Sequence, residues 1–334
     1  MDQLQQIKPN TMDYDEYKTN DGLPMAFQTS QPLSPLDPSK TYDQCILLLH
    51  GFSGSSQYFT RNFPALSTHH WVVAPDMRGH GSSSHSKHGY HVARLAMDLH
   101  DLIDHLKMRT RSSRLQIIAV GCSIGAAILW TYVEIFGSDA DFAGLVFVDQ
   151  APLQDRSLFG WGPDQAHRGL YDEATTIAAQ QAWMHHLDET AHGLVDECLG
   201  YRHQPLATDN VSTDQAAQDV EFFVNISKQC RREWLARLMA DHTRYDHREA
   251  IELIKIPILV LAGRRSGCFS VDGMFETARR ANGEVFAEVL ESGHWMFYEE
   301  PDKFNDRLLQ FVGHVFGPTG EPASLAAIRF DPVA

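Results

Sequence analysis

The sequence has no long apolar run, no excess of basic residues and no patterned cysteines, and each absence removes a class of function. Nowhere do the ~20 consecutive apolar residues of a membrane-spanning helix occur, so no membrane partner is expected. The first twenty residues are polar and lack the apolar stretch of an export signal, which leads us to expect a cytoplasmic protein. Lys and Arg number 28 against 43 Asp and Glu, a formal charge of -15. Such a surface repels a phosphate backbone, so nucleic acid is not an expected partner. The five cysteines (Cys45, Cys122, Cys198, Cys230, Cys268) are scattered, with no C-x-x-C pair. They make neither a disulfide framework nor a zinc motif and read as reduced, buried thiols. Histidine is plentiful at 18, but His69-His70 and His185-His186 are adjacent pairs, not the i,i+4 spacing of a helix-borne metal site. Neither a metal nor a cofactor is expected.

What is present is a rhythm. Short, continuously apolar segments at Cys45–Leu49, Trp71–Ala74, Leu115–Val120 and Ala143–Val148 alternate with helical spacing over Tyr90–Leu106 and Ala126–Phe136. Strands apolar on both faces, separated by helices, predict a mostly parallel sheet covered on each side. Before it, Asp15–Thr19 and Pro24–Thr29 flank the turn Asn20-Asp21-Gly22, a hairpin signal. Gln31–Lys40 reads as loop. From about Leu153 to His242 the rhythm stops, in favour of helix formers and aromatics. It resumes at Pro257–Ala262 and Glu284–Leu290, and a helix over Pro301–Phe316 closes the pattern. The expected organisation is an α/β core, residues 1–152 and 243–334, interrupted by a helical cap at 153–242. Residues 317–334 are expected to drape on the core.

Gly121-Cys122-Ser123-Ile124-Gly125 falls between the third strand and the next helix. A sharp strand-to-helix turn needs small flanking residues, and it exposes the serine hydroxyl at the carboxyl edge of the sheet. It also aims helix N-terminal N–H groups at a developing oxyanion. Ser123 is thus the candidate nucleophile and Ile124 N–H one oxyanion donor. His50-Gly51-Phe52, after an earlier strand, offers the second donor, Phe52 N–H. His294, following the last strand, is the candidate base. Asp76 is expected to satisfy backbone N–H groups, the Arg78–Ser82 turn to be structural, and Cys122 to pack beneath the elbow.

From His50 to Phe316 the chain resembles the α/β-hydrolase superfamily. The resemblance rests on LLLHGFSGS, VVAPDMRGHGSS, IAVGCSIGAAI, LVFVDQAP, IPILVLAGR and LESGHWMFYEEPDKF, in that order. It implies an α/β-hydrolase fold with a helical cap over the nucleophile. In most of the superfamily the triad acid follows the strand Ile258–Ala262, but Gly263–Cys268 contains no carboxylate and Asp272 arrives late. Some members place the acid where this chain has Asp149, which is preferred here, with Asp272 as the alternative.

The resulting expectation is a serine hydrolase acting on an ester, lactone or related carbonyl bond of a small hydrophobic or aromatic compound. Trp161, Trp183 and Trp295 are candidates to line its pocket. Two other readings stand beside it. The acid position also resembles cofactor-independent dioxygenases of this fold, in which a His/Asp pair deprotonates a hydroxylated heteroaromatic ring. A non-catalytic, hydrolase-like ligand-binding protein is the third. Nothing in the sequence reveals the oligomeric state.

Overall fold

The computed structural model describes residues 14–31, 42–112, 114–157, 159–317 and 325–330. Its centre is an eight-stranded sheet: β1 (Tyr14–Lys18), β2 (Pro24–Thr29), β3 (Gln44–Leu49), β4 (Val72–Pro75), β5 (Gln116–Cys122), β6 (Phe142–Val148), β7 (Ile258–Gly263) and β8 (Val285–Leu290). The spatial order is β1-β2-β4-β3-β5-β6-β7-β8. The first hairpin pairs antiparallel and joins β4 antiparallel, whereas every pairing among β3–β8 is parallel. This is the mostly parallel sheet that the strand rhythm predicted, in the α/β-hydrolase fold that the resemblance implied. The expected loop at Gln31–Lys40 lies, beyond Gln31, outside the described residues, as does most of the segment 317–334. Of that segment Leu325–Ile328 forms a turn of 3₁₀ helix, and Arg329 bridges to Phe286 of β8.

Side chains alternate across a strand, and here both faces are apolar. Ile46, Leu48, Ile118, Val120, Val146 and Val148 enter one core cluster. Their neighbours Leu47, Leu49, Ile117, Ala119, Leu145 and Phe147 enter the other. Helices Val92–Thr110 and Ile124–Phe136 cover the second face, the former through its stripe Leu95, Leu99, Leu102 and Leu106. Helix Pro301–Phe316 covers the first through Phe304, Leu308, Phe311 and Val312.

Between β6 and β7 the described residues contain six helices: Glu173–His185, Leu187–Cys198, Gly200–His203, Thr213–Ser227, Arg232–Arg244 and Arg248–Glu252. Asp172 starts the first with a capping box, its carboxylate accepting the Thr175 N–H at 2.9 Å. Ser212 caps the fourth through the Gln215 N–H at 3.1 Å. Such caps contribute about 1 kcal/mol each. Phe223 stacks on Trp295 of the core with centroids 3.8 Å apart, and Asp219 accepts the hydroxyls of Tyr201 and Tyr298. The helix pair Glu173–His185 and Arg232–Arg244 has a small cluster of its own, built on Trp183, Leu235 and Met239. No helix among the described residues is long and apolar enough to cross a membrane.

Candidate active site

β5 and helix Ile124–Phe136 are separated by one residue, Ser123. The turn is tight enough that a Cβ on Gly121 would sit 2.6 Å from the Ala126 nitrogen. One on Gly125 would sit 2.7 Å from the Leu49 carbonyl oxygen. No residue with a side chain fits either place, which is the physical content of the G-x-S-x-G pattern. Ser123 itself takes φ 54° and ψ -123°, a conformation that costs a non-glycine residue about 1–3 kcal/mol. Its N–H donates to the Val148 carbonyl at 2.9 Å and its carbonyl accepts the Ala126 N–H at 2.8 Å.

The turn after β3 lies against that serine, since a Cβ on Gly51 would be 3.3 Å from Ser123 Cβ and 3.9 Å from its Oγ. A side chain there would press on the serine, so glycine eases the close approach of the Gly51–Phe52 backbone. His50 holds the turn. Its Nε2 accepts the Met77 N–H at 3.0 Å, so the proton sits on Nδ1, which donates to the Gly51 carbonyl at 2.8 Å. Burial pushes its pKa down to about 4, and His50 is a neutral structural hinge pin. The neighbouring loop is similarly tied. Asp76 accepts the Ser56 and Ser82 amides, and the buried Arg78 pairs with Asp98 and Asp21. Cys122 is buried in the core under the elbow.

Asp149 terminates β6 with φ 47° and a side chain sealed from solvent. Its Oδ1 faces His294 Nδ1 at 2.5 Å and also accepts the Ser266 hydroxyl at 2.7 Å, while Oδ2 accepts the Gly263 N–H at 2.8 Å. Burial opposes charge on His294, but the facing Cys268 thiol and Asp149 carboxylate outweigh it and raise the imidazole pKa well above its ordinary range. Asp272 is elsewhere. It lies in the first turn of helix Val271–Arg280, where it pairs with Arg279 at 2.6 Å and accepts from Gln165 at 3.2 Å. Sequence reasoning missed Ser266. The signal was there in Gly263–Cys268, where a hydroxyl stands in the stretch that lacks a carboxylate, and it serves the acid of the adjacent strand.

Ser123 and His294 open into one cavity of about 640 Å³, floored by Gly51 and Phe52 and walled by the helices between β6 and β7. Trp183 and Trp295 line it. Trp161 does not, because its indole N–H donates to the Leu153 carbonyl and its ring packs under Arg248. Among the polar wall residues that the sequence reading did not place there are His167, Glu197, Cys198 and Cys268. They come from three separate segments, and no local spacing announces them. Burial, then the nearby Cys268 thiol, pushes the Glu197 carboxyl up to about 7.

The sequence model of the alpha/beta hydrolase family matches residues 46–307. The AB hydrolase superfamily protein YisY of Bacillus subtilis is 24% identical over 280 residues, 80% of this chain and 90% of that protein. Monoacylglycerol lipase ABHD6 of Rattus norvegicus is 23% identical over 279 residues, 82% of this chain and 76% of that one. Among solved structures, an esterase from Exiguobacterium antarcticum superposes with a TM-score of 0.74 at 19% identity, covering 89% of this chain and 98% of the esterase.

Proposed function

The chain belongs to the alpha/beta hydrolase family, and on that footing we propose that it is a serine hydrolase cleaving an ester or lactone of a small hydrophobic or aromatic compound. The observation that carries the reading is the meeting of three features: a strained Ser123 elbow, an Asp149–His294 pair at 2.5 Å, and one cavity reached by both Ser123 and His294. The cavity volume suits a small organic substrate. The monoacylglycerol lipase and the esterase that the chain resembles agree with it.

In this mechanism Asp149 holds the Nδ1 proton of His294, leaving the Nε2 lone pair to take the proton of Ser123. Ser123 Oγ attacks the substrate carbonyl carbon. The negative oxygen so formed is held by the N–H groups of Phe52 and Ile124. His294 then passes the proton to the departing alkoxide, and the acyl-enzyme remains. A water deprotonated by His294 attacks it, the Ser123 ester bond breaks as His294 returns that proton to Ser123 Oγ, and the acid leaves. Residues 153–242 act as a cap that supplies most of the cavity wall.

A fluorophosphonate probe followed by peptide mass spectrometry tests this. The expected result is a stoichiometric adduct on Ser123, lost in Ser123→Ala and strongly slowed in His294→Ala. A folded protein that gives no adduct overturns it. The Asp149–His294 pair also favours a second reading, in which it serves as a general base for cofactor-free oxygenation of a hydroxylated heteroaromatic ring. Oxygen uptake with carbon monoxide release, undiminished in Ser123→Ala, would establish that reading instead.

A further inference from the structure

Two of the five cysteines meet beside His294. Cys198 is the last residue of helix Leu187–Cys198, and Cys268 lies in the turn between β7 and helix Val271–Arg280. Both are buried, and their Sγ atoms stand 3.9 Å apart. With a ring nitrogen of His294 they form a set in which every donor atom lies within 4.8 Å of the others. His167 lines the same cavity, as do all three of the others.

The sulfur separation distinguishes the uses such a pair can have. A disulfide needs about 2.05 Å between sulfurs, so the two elements would have to close by about 1.9 Å. A zinc–thiolate bond is about 2.3 Å, and two sulfurs 3.9 Å apart then subtend about 116° at a shared ion, close to the tetrahedral angle. The sulfurs therefore stand at the spacing of a zinc edge without moving. His294 Nδ1 is committed to Asp149, which leaves Nε2 as the donor. A carboxylate behind a ligating imidazole is the arrangement that fixes the tautomer and orients the ring at zinc sites.

We propose that Cys198, Cys268 and His294 form a site for one thiophilic divalent cation of the zinc class. An ion held there occupies the Nε2 lone pair that would otherwise deprotonate Ser123, so its binding arrests turnover. The arrest rests on the reading of His294 as the catalytic base, whereas the binding does not.

The test adds cadmium, then zinc, to the full-length protein after reduction and removal of chelator. One equivalent of cadmium should raise a thiolate-to-cadmium charge-transfer band in the ultraviolet, and zinc should displace it. The band should vanish in Cys198→Ser and in Cys268→Ser and survive in Ser123→Ala. That last arm separates a failure of this proposal from a failure of the hydrolase reading. Zinc-edge X-ray absorption on the unmutated protein needs no variant to fold, and it should count two sulfur neighbours at about 2.3 Å. Zinc should also stop ester turnover reversibly, and Cys198→Ser should need at least about tenfold more zinc for half-inhibition, relative to its own metal-free rate. Absence of the band, its persistence in both cysteine variants, or a sulfur-free zinc shell overturns the site. Zinc held by two sulfurs with turnover unaffected removes His294 from the ligand set and overturns the arrest.

Discussion

The floor and the roof of the cavity are built to different standards. In helix Ile124–Phe136, behind Ser123, ten of the thirteen residues are buried, from Ile124 to Val133. In helix Glu173–His185, on the roof, Thr176 and Trp183 alone are. Ser123 and Asp149 on the floor are non-glycine residues at positive φ, and backbone hydrogen bonds tie each. Strained conformations persist only where the surroundings over-determine them, so the floor is the part of the molecule able to fix reacting groups to fractions of an ångström. The roof is anchored along one side, through the Phe223–Trp295 stack and the Asp219 hydroxyl contacts, while its other helix pair rests on a cluster of five buried residues. Under the proposed function, chemistry and substrate selection fall to regions of unequal rigidity, and substitutions should separate them.

The largest effect belongs to the floor. Ser123→Ala removes the proposed nucleophile while leaving the elbow backbone in place, and hydrolysis should fall by about 10⁴-fold or more. The melting temperature should stay within a few degrees. Equal losses in both would make Ser123 a structural residue and blur the contrast.

Asp149→Asn comes next, at about 10³ to 10⁴-fold in kcat, because an amide cannot hold the proton on Nδ1. It has a pH signature as well. In the proposed mechanism the base, His294, must be neutral to act, and the Asp149 carboxylate helps to hold its pKa up. Activity therefore declines as pH falls through that raised value. Without the carboxylate the acidic limb should move to lower pH, towards the ordinary imidazole value of about 6.5. A pH–rate profile of kcat/KM checks this, and an unmoved limb would detach Asp149 from the base.

On the roof the response should take a different form. Trp183 meets the Phe52 ring edge-on at 5.3 Å and lines the cavity. Trp183→Ala should raise KM about tenfold, roughly the loss of one aromatic contact, and change kcat by less than about threefold. Steady-state kinetics on a series of acyl chains would show it. A fall confined to kcat would mean that the roof positions the reacting atoms too, and the division between the regions would not hold.

The same division explains what could be read from the sequence. β3, β5, β6 and β7 were legible because burial on both faces forces continuous apolar runs. Ser123 was legible because close backbone approach admits only glycine at 121 and 125. Each of these is a local constraint written into adjacent residues. The cavity wall obeys no such rule. Trp161 and Trp183 both looked like pocket residues, and only the fold separates the indole that faces the cavity from the one hydrogen-bonded to the Leu153 carbonyl. Cys198, Cys268 and His294 are far apart in the chain and converge because a helix end, a strand-end turn and the loop after β8 meet at one sheet edge. A search for local ligand spacing cannot find such a set.

The smallest expected effect is the most economical check on the acid. Asp272 and Asp149 were both open to the sequence, and they now sit in opposite settings. Asp149 is sealed and spends its oxygens on Gly263, Ser266 and His294. Asp272 is about half exposed, on a helix flank, and faces Arg279. An ion pair so open to water contributes about 0–1 kcal/mol, because solvent and salt screen it and both side chains lose freedom in forming it. Asp272→Asn should therefore lower stability by no more than that and leave kcat/KM within about twofold. Its acidic limb should coincide with that of the unmodified protein. A shift of the limb in Asp272→Asn, set against none in Asp149→Asn, would mean that His294 takes its carboxylate from the helix instead of the strand end, and that the loop after β7 rearranges in solution to deliver it.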